Sequence, residues 1–179
     1  MKPYYLVASL PTLVLGDPAP LDVASFLAAC ANLLSEEELA EVTLMLEGRV
    51  GESGAAFAKD WLRVDTQLRN AVARVRAGKR SAEARSFLRE HEGYDVSLEK
   101  AVTDAYTRPN PLERELFLDR HRWQRLDELV LAEPFGFAAV LAYALKLRLV
   151  LRWADLNDEA GGQRLTELLK ELDKSEGKT

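Results

Sequence analysis

Two histidines, one cysteine and a run of glutamates are the side chains here whose types could do chemistry, and their spacing decides whether they do. A general base or a metal ligand needs a partner. His91 and His121 each stand in charged helical surroundings without a neighbouring serine, cysteine or second histidine, which reads as two surface residues. Cys30 falls on the apolar face of its segment with no basic residue beside it in sequence to lower its pKa, so it is expected to be a small core residue. Being the single cysteine, it cannot form an internal disulfide, and no Cys/His cluster offers a zinc site. Glu36, Glu37, Glu38 and Glu41 are too close in sequence to converge on an ion, because adjacent helical residues diverge around the axis. They read as a solvated, cap-stabilising face. The chain carries no Gly-rich phosphate loop, nucleophile elbow or paired-histidine motif. The expectation is therefore a protein that is not an enzyme, with no cofactor, metal or small-molecule substrate. A catalytic site, if there were one, would have to be assembled from dispersed residues such as Glu115, Asp119 and His121.

Arginine is the other chemically distinctive group. Arg69, Arg76 and Arg80 share one flank of a helical stretch at 59–80, with Arg63 and Arg74 on the other flank and Lys79 nearby. Such a face suits an acidic partner or a phosphate backbone, although Asp60 and Asp65 dilute it and a solvated face is the plainer reading. Arg148 and Arg152 form a second, narrower stripe. With the first set they are the candidate partner-binding residues. The formal net charge of -5 argues against general nucleic-acid binding, so nucleic acid is the alternative partner for the 59–80 helix and not the first one.

The element that must position these groups is 134–155, PFGFAAVLAYALKLRLVLRWAD, which is apolar on nearly every side except for Lys146 and the stripe Arg148, Arg152, Asp155. A helix of that kind is covered by neighbours on most of its circumference. Lys146 and Arg148 interrupt the run too early for a membrane span. Around it, 4–15 is ambiguous between helix and extended chain, with Pro11 breaking it, and Asp17, Pro18 and Pro20 start a helix that turns Leu21, Phe26, Leu27 and Cys30 inward. Ser35 and Glu38 form a capping box for a helix ended by Gly48, and Ser53 is the expected cap of the next one. There Phe57, Trp61, Val64, Leu68, Val72 and Val75 are spaced 4, 3, 4, 4 and 3 residues apart, a stripe expected to pack on the central helix. After a break at Gly78 and Ser81, AEARSFLREH should form a second helical segment closed by Gly93, and Ser97 should cap a short helix to Ala105. Asn110, Pro111 and Glu113 signal a further helix, with Asp119, Arg120, His121, Arg122 and Arg125 on its outer surface. It should form an antiparallel hairpin with the central helix, and a last helical stretch should follow Gly161. At 47% hydrophobic residues, the 179 residues are expected to make one all-α domain: an irregular bundle of about six to eight helices around the central one, with 93–110 as the place for a subdivision.

Two stretches together resemble a known group. YYLVASLPTL near the start, and LDRHRWQRLDELVLAEPFGFAAVLAYALKLRLVLRW later, are similar to a small uncharacterised bacterial family that tends to be encoded among V-type ATPase subunits. That family is distantly similar to the central-stalk cap subunit, called C in prokaryotes and d in eukaryotes. In the cap subunit a late helix carries a Tyr followed by a Lys and an ion-pairing stretch, and Tyr143, Lys146 and Arg148 stand where that pattern falls. The acid expected soon after the Lys is absent, with Leu147 and Leu149 flanking Arg148. The resemblance implies a non-enzymatic helical protein that contacts the central stalk and the membrane ring, cytoplasmic and bound to the membrane only indirectly. In that setting Arg63, Arg69, Arg74, Arg76, Arg80, Arg148 and Arg152 would face partner subunits.

Overall fold

The computed structural model of the protein describes residues 2–80 and 83–155, which fold into seven α-helices with no strand among them. These are α1 (Lys2–Ser9), α2 (Val23–Ala31), α3 (Glu36–Glu47), α4 (Ala56–Lys79), α5 (Val96–Ala105), α6 (Pro111–Val130) and α7 (Phe137–Asp155). Short 3-10 turns lie at Val50–Glu52 and Arg85–Phe87. The N-terminal stretch is thus helical only to Ser9. The helical stretch expected after Gly161 lies outside the described residues, as do Ser81 and the side chain of Asp155.

Several helix ends follow from local chemistry. Ser35 Oγ accepts the Glu38 amide at 3.2 Å and Glu38 Oε2 accepts the Ser35 amide at 2.9 Å, closing the capping box. Gly48 ends α3 in the left-handed region at φ +79°. Asn110 Oδ1 accepts the Leu112 amide at 2.9 Å, with Pro111 in the first turn of α6. Asp22 caps α2 through the Ser25 amide at 2.7 Å.

Two expected caps move. Asp95, not Ser97, opens α5, taking the Ser97 and Leu98 amides on one carboxylate oxygen. α4 begins at Ala56, too late for Ser53 to cap it, so Ser53 instead accepts the Ala55 amide at 3.2 Å. Glu41, expected on a solvated face, reaches across from α3 to accept the Ser53 hydroxyl and, at 3.0 Å, the Gly54 amide.

AEARSFLREH is not a helix; where described, it holds one 3-10 turn and otherwise runs irregularly along α4. Two side-chain amides explain what holds it there. Gln67 donates to the Asp95 carbonyl at 2.8 Å and accepts the Asp95 amide at 2.9 Å, and Asn70 does the same for Arg89 at 2.7 and 3.0 Å. Each amide meets both polar groups of one backbone residue, replacing the bonds that a helix would have made.

The apolar interior has two parts. The larger surrounds α7, where Val140, Leu141, Leu147 and Val150 meet Leu6 of α1, Phe26 and Cys30 of α2, Val42 and Met45 of α3, and Leu126 of α6. The smaller joins Leu68 and Ala71 of α4 to Leu98, Val102 and Ala105 of α5 and Leu118 of α6. The expected stripe on α4 therefore does not pack as a unit on the central helix: Phe57 and Trp61 belong to the first core, Leu68 to the second, and Val64 touches both. A helix as long as α4 outruns a single neighbour. The segment 93–110 lies within the second core, but α4 and α6 pass through both cores without interruption. α6 and α7 form the expected antiparallel hairpin, with Lys146 paired to Asp127 and, nearer the far ends, Arg152 paired to Asp119.

Candidate functional site: an ionic seam and an arginine-lined cavity

Where α4, α6 and α7 meet, the interior is charged. Asp119, expected on an outer surface, is fully buried (0% exposed). Its Oδ1 accepts Arg122 Nη1 at 2.8 Å, and its Oδ2 accepts both Arg152 Nη2 and the Trp153 indole N–H at 2.8 Å. Arg122 also donates from Nε to Asp65 at 3.2 Å, and Asp65 is held on its other oxygen by Arg69 at 2.7 Å. The result is an alternating chain, Arg69, Asp65, Arg122, Asp119, Arg152, that ties the three helices together. Burial alone pulls the Arg122 pKa down, yet Asp65 and Asp119 outweigh it and the net direction is up. A buried charge persists on such terms because every partner is present.

Arg148 is different. It lies one turn before Arg152 on α7, and its guanidinium rests against the end of α3. Nη1 is 3.3 Å from the Met45 carbonyl, and a Cβ on Gly48 would approach Nη2 to 2.7 Å. A cation at the carbonyl end of a helix is favourably placed. It has no carboxylate in ion-pair contact among the described residues, and its pKa is lowered first by burial and then by Arg69, against an opposing pull from Asp65. Arg152 is thus ion-paired within the chain, whereas Arg148 holds only a carbonyl.

Beside this seam is a cavity of about 640 Å³ whose wall includes Arg69, Arg89, Arg122, Arg148 and Arg152 against the acids Asp65 and Asp119. Arg89 arrives from the irregular segment that Asn70 clamps, and Phe87, 72% exposed, stands in the same wall. A neighbouring hollow shares Arg69, Phe87 and Arg122 and adds Arg76 and Arg80. Of the seven arginines proposed from sequence, these two hollows gather Arg69, Arg76, Arg80, Arg148 and Arg152. Arg63 and Arg74 lie elsewhere, paired with Asp60 and, at 2.7 Å, with Glu99. Arg76 donates to the Tyr106 hydroxyl at 2.5 Å and lies 3.4 Å from Glu115, while Lys79 donates to the Tyr106 carbonyl at 3.0 Å.

The remaining candidates stay apart. Cys30 is buried and its thiol is pushed up to about 11 by burial, which leaves no thiolate nucleophile. Among the dispersed catalytic candidates, Glu115 and Asp119 converge on Arg152, but His121 lines neither hollow. His91 and His121 are half-buried instead of exposed, each with one buried ring nitrogen lacking a hydrogen-bond partner among the described residues. Burial lowers the His121 pKa, helped by Arg122 and opposed by Glu128. No cluster of His, Cys, Asp and Glu among the described residues has the form of a metal site.

Asp65, Gln67, Asn70, Arg89 and Arg122 are site residues that the sequence did not single out, and Asp119 stood out only as a dispersed catalytic candidate on an outer surface. A signal existed for Asp119: Glu115, Asp119 and Arg122 at i, i+4 and i+7 form a polar stripe on α6 that matches Arg148 and Arg152 on the antiparallel α7.

Residues 95–176 match the profile of a family described as a protein of unknown function, DUF2764. The match takes in α5, α6 and α7, and hence Asp119, Arg122, Arg148 and Arg152, while Asp65, Arg69 and Arg89 come from outside it. No curated protein and no solved structure matches the chain.

Proposed function

We propose that the protein is a non-enzymatic accessory or coupling subunit of a V-type ATPase, a helical cap or adaptor between the rotor shaft and the membrane ring. The observation that carries this reading is the union of the two stretches that resemble the ATPase-associated family. Far apart in sequence, they form one packed unit: the Tyr143 hydroxyl of α7 donates to the Pro11 carbonyl at 2.9 Å, and the Tyr4 ring of α1 packs at a tilt against Phe135 with ring centroids 4.9 Å apart. Burial pushes the Tyr143 phenol up to about 12, so it acts as a fixed donor. Lys146, which lacks the acid expected after it in sequence, finds one in Asp127 across the hairpin and covers the Trp123 ring at 4.8 Å. No helix among the described residues is long and apolar enough to cross a membrane, so this reading has the protein reach the membrane through its partners. The exposed acids Glu36 and Glu37 and the arginine-rich α4 offer surfaces of opposite sign, suited to steering and registering such a contact.

The alternative, a regulatory or nucleic-acid-binding module using 59–80, has less support. Arg63, Arg69, Arg74 and Arg76 all face acids of their own chain, which competes with a phosphate backbone. The deciding experiment is gentle solubilisation of native membranes followed by isolation of the ATPase. The protein should co-purify with it. Absence from that complex, with a tagged copy recovering nucleic acid or running free, would replace this reading with the alternative.

A further inference from the structure

The cavity beside the ionic seam has a charge that its own protein neighbours do not balance. Five arginines stand in its wall against two aspartates, and with Glu115, which lies 3.6 Å from Arg152 outside the wall, counted as well, a surplus of two positive charges remains. The two aspartates are moreover occupied: Asp65 by Arg69 and Arg122, Asp119 by Arg122, Arg152 and the Trp153 indole. Arg148 holds only a backbone carbonyl at 3.3 Å. Arg89 is exposed on a segment whose backbone, not its side chain, is fixed by Asn70. Arg69 stands near enough to Arg148 to disfavour its charge. An arrangement of like charges around a concavity is relieved by an anion with several oxygens, and guanidinium groups match phosphate oxygens in pairs.

From this geometry we propose that the cavity between α3, α4, α6 and α7 binds a small ligand bearing a pyrophosphoryl group, held by Arg148 and Arg89 with Arg69 at its side. The volume of about 640 Å³ is that of a small-molecule site and is concave, unlike the flat surface that a macromolecular polyanion would use. Both aspartates are already engaged, so the donors left to meet a ligand are those of Arg148 and Arg89. The ligand would bridge α7 to the end of α3 and to the Arg89 segment, coupling the position of that segment to ligand occupancy. Inorganic pyrophosphate and a nucleoside diphosphate share the recognised group. They differ at Phe87, whose exposed ring in the wall offers a stacking face for a base.

The test is calorimetric titration of the full chain at low ionic strength with phosphate, pyrophosphate and ADP. Pyrophosphate and ADP should bind, and Arg148→Gln and Arg89→Gln should each weaken both by roughly tenfold or more, as loss of a charge-assisted contact does. Arg63→Gln, outside the cavity, should leave binding unchanged. Phe87→Ala assigns the source: weakening of ADP alone identifies a nucleotide, and equal binding of ADP and pyrophosphate before and after identifies the inorganic anion. Arg89→Gln lies in an exposed segment and tests the site even if Arg148→Gln does not fold. Failure of both pyrophosphate and ADP to bind, whether or not phosphate does, or binding unaltered in both glutamine variants would overturn the proposal. Because it rests on the cavity and not on the ATPase reading, absence of the protein from an ATPase complex leaves this outcome untouched.

Discussion

The interior around α1, α2, α3 and α7 and the seam between α4, α6 and α7 are built from the same central helix by opposite means. On one side Leu141, Leu147 and Val150 meet Phe26, Met45 and Leu6, all fully buried. On the other, Arg152 of that helix meets a fully buried carboxylate. Apolar contact is non-directional and tolerates exchange of one side chain for another of similar volume. The ionic chain holds only if each donor and acceptor keeps its partner, so it fixes the relative setting of three helices at the edge of the cavity. The labour is divided between the two regions: the apolar side supplies most of the driving force, and the charged side supplies register at the place where a ligand or partner would act.

The largest expected effect breaks that contrast directly. Asp119→Ala leaves Arg122 with one acid and Arg152 with only the more distant Glu115, at 3.6 Å, and should destabilise the fold by about 3–5 kcal/mol in urea denaturation. Replacing the group as a unit, Asp119→Leu with Arg122→Met and Arg152→Met, should recover much of that loss, since a packed apolar substitute avoids desolvating charge. If Asp119→Ala is as stable as wild type, the seam is not structural. A full recovery of stability with loss of pyrophosphate binding would sharpen the division of labour further.

A smaller effect is expected at the clamps. Gln67→Ala or Asn70→Ala strands one backbone amide and one carbonyl, at a cost of about 1–3 kcal/mol where these stay out of water. Asn70→Ala should also free the segment that carries Arg89, and limited proteolysis near Phe87 should then accelerate well before global unfolding changes. Equal cleavage rates in wild type and variant would mean that the amides do not hold the segment.

Much of the fold was legible because its signals are local. Ser35 with Glu38, Gly48, and Asn110 with Pro111 announce helix ends through bonds that span four residues or fewer, and the apolar surround of α7 announces a central helix. The seam was not legible in the same way. Asp119 sits among charged residues on its own helix, and only the antiparallel pairing with α7 reveals that the polar stripes face each other and not solvent. Gln67 and Asn70 were missed for a related reason: their partners are the backbones of Asp95 and Arg89, 28 and 19 residues away, and a backbone group has no residue type to recognise. The expected helix at AEARSFLREH failed because composition favours a helix there while those clamps hold an irregular path. The site was therefore visible as arginines without an arrangement.

The smallest effect concerns pH and lies on the flank of α6, the helix common to both regions. His121 is half-buried, its Nε2 has no partner among the described residues, and its pKa is lowered by burial first, with Arg122 adding to the shift and Glu128 opposing it. A histidine whose folded pKa lies below its unfolded value of about 6.5 binds protons more readily in the unfolded chain. Its contribution to stability is therefore fully present above about pH 6.5 and declines as the pH falls through that value toward the lower folded pKa. Half exposure keeps the slope shallow. His121→Leu should remove this component, so the difference in urea midpoint between wild type and variant should change on going from pH 7 toward pH 5, the variant gaining relative to wild type in acid. Carboxylates across the molecule contribute their own acid slope to both proteins and cancel in the difference. A midpoint difference that stays constant over that range would show that the ring is solvated, and that the charged side of the helix opens to water farther than its packing indicates.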